Sequence, residues 1–296
     1  MQTKIPSPLE EIKSNIFNEK NVRVFIKRDD LIHPQVSGNK FRKLQYALKH
    51  FKENSVKKVL TFGGAYSNHI HAFAYACREA GIQAIGVIRG DELAKKPLNP
   101  TLQAAKEWGM ELIFVSRTEY SQRYDKDYCN SLAQKYSCEI VPEGGTQLLA
   151  KPGVMHCVEE INGQEPGITH IACAVGSGGT IGGVVSALNS GQKAIGILAV
   201  AGVENEIVKV IESFTENKNY ELVIDAHLGA YAKTTPELFE FIKKCRHDFN
   251  LELEQVYTAK AFKAILDKIE KSHFSEGSKI CFIHTGGMQG LHPNLK

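Results

Sequence analysis

The chain of 296 residues has almost no net charge: 36 lysines and arginines against 33 aspartates and glutamates leave +3. That balance excludes the broad basic surface of a nucleic-acid or anionic-membrane binder. Long apolar runs are missing too. The longest, such as residues 195–203, fall well short of the ~20 residues that span a bilayer. The opening residues, Met1-Gln2-Thr3-Lys4-Ile5-Pro6, lack an apolar signal core, so a cytoplasmic location without membrane partners is expected. Seven cysteines form no CxxC pair and their number is odd. In a chain this long that fits reduced, buried thiols rather than a disulfide frame.

What remains is ordinary globular material, 43% apolar and 23% charged, long enough at ~150 residues per domain for two domains. Apolar stretches at 22–27, 58–62, 84–88, 111–115, 139–141, 168–175, 194–200 and 279–284 read as strands. Several are continuously apolar, as strands covered on both faces are. Helical patterns lie between them. Phe41, Leu44, Leu48 and Phe51 fall at spacings of three and four, as do Ile70, Phe73, Ala74 and Cys77 before Gly81. Thr235-Pro236 supplies a capping hydroxyl and a first-turn proline. This alternation predicts an α/β fold with parallel-rich sheets flanked by helices and ligands at the strand C-terminal ends.

Three glycine clusters follow predicted strands: Gly63-Gly64, residues 176–183 and Gly286-Gly287. Glycine at a strand-to-helix turn lets backbone N–H groups approach an anion, and the helix dipole adds to the attraction. The run Gly176-Ser177-Gly178-Gly179-Thr180 is therefore a candidate phosphate cradle. No Walker Gly-Lys-Ser/Thr is present, and Ile181 stands where a dinucleotide fingerprint needs glycine. Lys40 falls in a predicted first helical turn, with Gly38 and Asn39 read as the turn and N-cap. The helix dipole and the neighbouring Arg42 and Lys43 disfavour its protonated form. An amine of lowered pKa suits Schiff-base chemistry, and an amine beside a phosphate cradle suits a phosphate-bearing aldehyde.

The pair His69-x-His71 diverges on a helix, so no metal site is expected there, with His69 lining a pocket and His71 structural. Cys173 and Cys281 sit inside predicted strands, where packing is the simpler role.

The segments Lys27-Arg28-Asp29-Asp30-Leu31 and Gly38-Asn39-Lys40-Phe41-Arg42-Lys43-Leu44 resemble the cofactor segment of the 1-aminocyclopropane-1-carboxylate (ACC) deaminase/D-cysteine desulfhydrase family. Ser67-Asn68-His69, residues 176–183, Val256-Tyr257-Thr258-Ala259-Lys260 and His284-Thr285-Gly286-Gly287 match that family's other blocks in order. The resemblance implies the two-domain tryptophan synthase β-like fold (fold type II), with pyridoxal 5'-phosphate between the domains. It places the larger domain at 1–50 and 151–296, the smaller at 51–150, and suggests a homodimer acting on a small amino acid. It assigns Lys40 to covalent attachment of the cofactor and transfer of the substrate's α-proton. Lys43 and the backbone of Ser177, Gly178, Gly179 and Thr180 would hold the phosphate. Asn68 would face the ring 3′-oxygen, and Thr258 and Thr285 the ring nitrogen. Ser67, Asn68 and His69 would bind substrate, with Tyr231 and Tyr257 close to it.

ACC deaminases of this family have Glu and Leu at the positions of Thr258 and Thr285, whereas D-cysteine desulfhydrases have hydroxyl residues at both. The resemblance therefore leans towards β-elimination from D-cysteine. ACC deamination, a lyase acting on another β-substituted amino acid such as L-cysteate, and a non-catalytic cofactor or amino-acid binder remain the alternatives. Departures from the family pattern fall at Tyr66, Ile70-His71-Ala72-Phe73 and Glu143-Gly144-Gly145-Thr146-Gln147, around the implied substrate pocket.

Overall fold

A computed structural model describes residues 2–229 and 232–295. In chain order the first half forms β1 (Leu9–Ile12), α1 (Asn15–Glu19), β2 (Arg23–Lys27), α2 (Gly38–Glu53), β3 (Lys58–Gly63), α3 (Asn68–Ala80), β4 (Gln83–Arg89), α4 (Pro100–Glu107), β5 (Glu111–Val115), α5 (Arg117–Ser121), α6 (Lys126–Tyr136) and β6 (Glu139–Val141). The second half forms α7 (Lys151–Gln164), β7 (His170–Val175), α8 (Gly179–Ser186), β8 (Lys193–Leu198), α9 (Glu204–Phe214), β9 (Tyr220–Val223), α10 (Pro236–Phe249), α11 (Thr258–Glu270) and β10 (Lys279–Ile283).

These strands build two sheets, of order β1-β2-β10-β7-β8-β9 and β5-β4-β3-β6. Every pairing is parallel except β1 with β2. The expected parallel-rich α/β architecture is thus what the chain adopts. The continuous apolar runs have a direct cause. In β7, Ile171, Cys173 and Val175 join one buried cluster while Ala172 and Ala174 join the cluster on the opposite face. In β10, Cys281 and Ile283 face one cluster and Ile280 and Phe282 the other. Both faces are dry, so both must be apolar.

Two strands escape the sequence pattern, β1 and β9. Both lie at the edges of the larger sheet, where burial is incomplete and the pattern weakens. The helix signals fare better. Thr235 caps α10 by accepting from the Leu238 N–H at 3.3 Å, and Gly81 ends α3 in the left-handed conformation. The start of α2 differs from expectation. Its cap is Ser37, and Asn39 lies inside the first turn.

Parallel order sets the strand C-terminal ends side by side. Neighbouring β7 and β10 bring the loops after Val175 and Ile283 together. Helix α2 packs through Phe41, Leu44, Leu48 and Phe51 into the core of the smaller sheet. Its N-terminus nevertheless reaches the end of β10. No helix among the described residues is long and apolar enough to cross a membrane.

Candidate active site

The N-terminus of α2 rests directly on the strand end of β10. Gly38 has φ +61°, and a Cβ there would lie 1.9 Å from the Thr285 carbonyl oxygen. Only glycine combines that backbone turn with that approach. The Asn39 N–H donates to the Thr285 oxygen at 3.3 Å, and the Asn39 side-chain amide donates to Thr180 Oγ1 at 2.9 Å. The turn that carries Lys40 is therefore tied to the loops after both β10 and β7. That long-range tie explains why Asn39 does not cap the helix.

Burial lowers the Lys40 pKa to about 8, and the Glu143 carboxylate offsets part of that effect. Arg42 has no share in the shift, contrary to the sequence expectation, because its charge is spent elsewhere. Arg42 donates to Asp29 at 2.9 and 3.1 Å and to Glu160 at 2.6 and 2.7 Å. Lys27 joins Glu160 at 2.7 Å, and Ser7 donates to Asp29 at 2.6 Å. This buried network anchors α2 to the end of β2 and to α7.

One turn beyond Lys40, the buried Lys43 amine lies 3.3 Å from Thr146 Oγ1 and 3.4 Å from Ser177 Oγ. Those two hydroxyls are 2.7 Å apart. Burial, and then the neighbouring Lys40, hold Lys43 well below the usual lysine pKa. An amine with hydroxyl neighbours and a suppressed charge fits a phosphate, whose negative charge restores the ammonium. The walls are cut to match. Gly144 has φ +70°, and a Cβ there would lie 2.3 Å from Ser177 Oγ. One on Gly179 would lie 2.7 Å from Thr146 Oγ1. Gly178 precedes α8 in the left-handed conformation, and Gly179 and Thr180 open that helix. Of the cradle residues named from sequence, Ser177 meets Lys43, joined by Thr146 from the loop after β6.

Helix α3 starts on the other side. Ser67 caps it, accepting from the N–H groups of His69 at 3.2 Å and Ile70 at 3.3 Å. Its hydroxyl proton is left to donate. Asn68 Oδ1 accepts from Gln289 at 2.5 Å, and a Cβ on Gly287 would lie 2.7 Å from Asn68 Nδ2. The starts of α3 and the loop after β10 are therefore in contact. His69 is buried with Nε2 2.8 Å from Thr61 Oγ1, while His71 meets the Trp108 ring edge-on at 4.7 Å. The two histidines point to different neighbours. No group of three or more His, Cys, Asp or Glu among the described residues could hold a metal ion.

At the head of α11 the fully buried Thr258 accepts from the Glu254 N–H at 2.9 Å. The Glu254 carboxylate takes the N–H groups of Val256, Tyr257 and Thr258 at 2.7, 2.6 and 2.7 Å. Burial raises the Glu254 pKa, and those backbone bonds pull it partly back. A Cβ on Gly287 would lie 3.1 Å from Glu254 Cγ, so this carboxylate also borders the Asn68 corner. Tyr257 packs its ring on Gly176, where a Cβ would lie 3.2 Å away. Tyr231 lies outside the described residues.

Sequence reasoning missed Glu254 and Thr61, and it set the segment 143–147 at the pocket without giving Thr146 or Glu143 a role. An acidic residue ahead of an apolar helix was the available signal for Glu254. Glu143 accepts from Tyr120 at 2.8 Å, Arg123 at 2.5 Å and Tyr124 at 3.2 Å. No local pattern announces that set, which assembles across the smaller sheet. Cys173 and Cys281 are buried packing residues whose thiols burial pushes up, Cys173 to about 12, so neither is a nucleophile at neutral pH.

Residues 2–286 match the family model described as pyridoxal-phosphate dependent enzyme. A Thermotoga maritima protein named provisionally as a 1-aminocyclopropane-1-carboxylate deaminase is 31% identical, over 97% of this chain and 95% of its own. The mitochondrial bifunctional D-cysteine desulfhydrase/1-aminocyclopropane-1-carboxylate deaminase of Arabidopsis thaliana is 29% identical, over 92% of this chain and 74% of its own. The crystal structure of an ACC deaminase homologue superposes with TM-score 0.82 at 29% identity, covering 98% of this chain and 92% of its own.

Proposed function

The chain belongs to the pyridoxal-phosphate dependent enzymes, and from that premise we propose that it deaminates a small amino acid by β-elimination, D-cysteine first among them. The observation that carries the reading is the Lys40–Lys43 row on α2, an amine of lowered pKa one turn from a phosphate-shaped cradle. The names of the relatives above support deamination in general. The hydroxyl residues Thr258 and Thr285 favour D-cysteine over ACC.

When bound, pyridoxal phosphate supplies an aldehyde for the substrate amine and a ring that draws electrons from the α-carbon. Lys43, the Ser177 hydroxyl and the backbone of Gly178, Gly179 and Thr180 would hold the phosphate. The Asn68 amide would hold the ring 3′-oxygen. Ser67 donates its hydroxyl proton to the substrate carboxylate, which also meets the positive end of α3. The Lys40 amine, neutral above about pH 8, would hold the cofactor's aldehyde carbon and would be the base for the proton on the substrate Cα. Tyr257 would stand by the substrate side chain. The Cβ–S bond breaks with its electron pair on sulfur, and with water the balance is pyruvate, ammonia and hydrogen sulfide. We assign the larger domain to 1–50 and 151–296, the smaller to 51–150, and a homodimer as the assembly.

A substrate panel on cofactor-loaded protein tests this. D-Cysteine, L-cysteine, ACC and L-cysteate are supplied separately, with pyruvate, 2-oxobutyrate and sulfide each measured. The expected result is pyruvate and sulfide from D-cysteine, at a kcat/KM at least about tenfold above that for ACC, a gap of ~1.4 kcal/mol. Release of 2-oxobutyrate from ACC with no sulfide from D-cysteine would make the chain an ACC deaminase instead.

A further inference from the structure

Thr61, buried in β3, donates its hydroxyl proton to the Val141 carbonyl at 2.7 Å. Its oxygen is then left to accept, so His69 Nε2, 2.8 Å away, carries a hydrogen. A neutral imidazole has one N–H, which makes Nδ1 a bare lone pair. The charged ring is disfavoured, because burial and then Lys40 and Lys43 hold its pKa well below the usual histidine value.

The His69 ring is only 2% exposed, and Nδ1 is buried without a hydrogen-bond partner. It faces Gly145, whose added Cβ would lie 3.6 Å from Nδ1 and 3.6 Å from Leu44 Cδ2. Leu44 follows Lys40 by four residues on the same face of α2. A buried acceptor without a donor destabilises the fold, so a donor that arrives during function is the natural complement. Two amines lie on that face. Lys43 is already directed at Thr146 and Ser177, whereas no hydrogen bond or ion pair among the described residues engages the Lys40 amine.

We propose that His69 is a positioning residue for Lys40: its Nδ1 accepts a hydrogen bond from the Lys40 ammonium formed when Lys40 takes the substrate's α-proton. Thr61 fixes the tautomer that makes this possible. The inference rests on the role given to Lys40 above. The proton passes from Cα to Lys40 Nζ, the electron pair of the C–H bond stays with the substrate, and His69 gains a hydrogen bond but no proton. The charged groups around Lys40 are Glu143 from the loop after β6 and Lys43 on its own helix. Cys173 of β7 acts on Lys43 and remains a thiol. Glu143 is claimed by Tyr120, Arg123 and Tyr124, which leaves Nδ1 as an uncommitted acceptor.

The test uses cofactor-free protein. Nitrogen-15 NMR of the imidazoles, assigned by His69→Asn, reads the tautomer, and Nδ1 should be unprotonated from neutral to mildly alkaline pH. Labelling of Lys40 by trinitrobenzenesulfonate against pH, followed by peptide mass, reads its pKa. His69→Leu should lower that pKa by about one unit, because the ammonium loses an acceptor. Thr61→Val should lower it in the same direction, Thr61→Ser should leave it unchanged, and His69→Asn should restore most of it. A hydrogen on Nδ1, or an unchanged Lys40 titration in folded His69→Leu, overturns the inference. If His69→Leu does not fold, Thr61→Val decides. Covalent cofactor uptake by Lys40→Ala would instead overturn the role of Lys40, an outcome distinct from either readout.

Discussion

Lys40→Ala is expected to abolish both the yellow absorbance of a pyridoxal-phosphate–lysine linkage and the turnover of D-cysteine. In the proposed reaction the side chain has two jobs, attachment and proton transfer, and general acid–base catalysis alone contributes roughly 10²–10⁴-fold. The loss should therefore reach at least about 10³-fold. The fold should survive, since Lys40 lies in the first turn of α2, and alanine is the strongest helix former. Lys43→Ala should differ in kind, keeping some linkage while weakening cofactor affinity, because it removes only the buried amine proposed to hold the phosphate. Spectra of the two variants, titrated with pyridoxal phosphate, separate the roles. A wild-type spectrum from Lys40→Ala would refute the assignment.

The second large effect lies beneath the site. Arg42→Leu should destabilise the protein by about 3–5 kcal/mol, the usual cost of breaking a buried ion pair from one side. Leucine conserves the helix and much of the volume but leaves Asp29 with the Ser7 hydroxyl and Glu160 with Lys27. Asp29 suffers most, because it is 1% exposed and loses both guanidinium bonds. At about 2–4 °C per kcal/mol for units of this size, the melting temperature should fall by roughly 10 °C. Cofactor affinity should fall with it, because the same network sets the height of α2 and therefore of Lys40. Thermal unfolding by circular dichroism measures the first effect, and a loss under ~1 kcal/mol would show that the network carries little of the anchoring.

Both results turn on contacts far apart in the chain, which explains what the sequence did and did not disclose. The inner strands were readable because both their faces are buried, and β7 and β10 became unbroken apolar runs. The edge strands β1 and β9 were not, since Glu10 and Glu11 interrupt one and all four residues of the other are only partly buried. Lys40 and the glycine cradle left local marks, a helix start and glycines after a strand, whereas Lys43 was named through the family resemblance. Arg42 was misread as a charge acting on Lys40 because its partners sit at Asp29 and Glu160. Asn39 was misread as a cap because the contact that sets the start of α2 comes from Thr285. Glu143, with Glu in place of the family's usual residue, gathers Tyr120, Arg123 and Tyr124 through tertiary folding alone. The tautomer of His69 is further still from the sequence, depending on a hydroxyl in β3 and a carbonyl at the end of β6.

The central claim, that Lys40 binds pyridoxal phosphate beside the Lys43 cradle, has a direct chemical readout. Cofactor-loaded protein is reduced with borohydride, digested and analysed by peptide mass. One phosphopyridoxyl group on Lys40 is the predicted result. The same group on Lys43 or on any other lysine, with Lys40 unmodified, would contradict it.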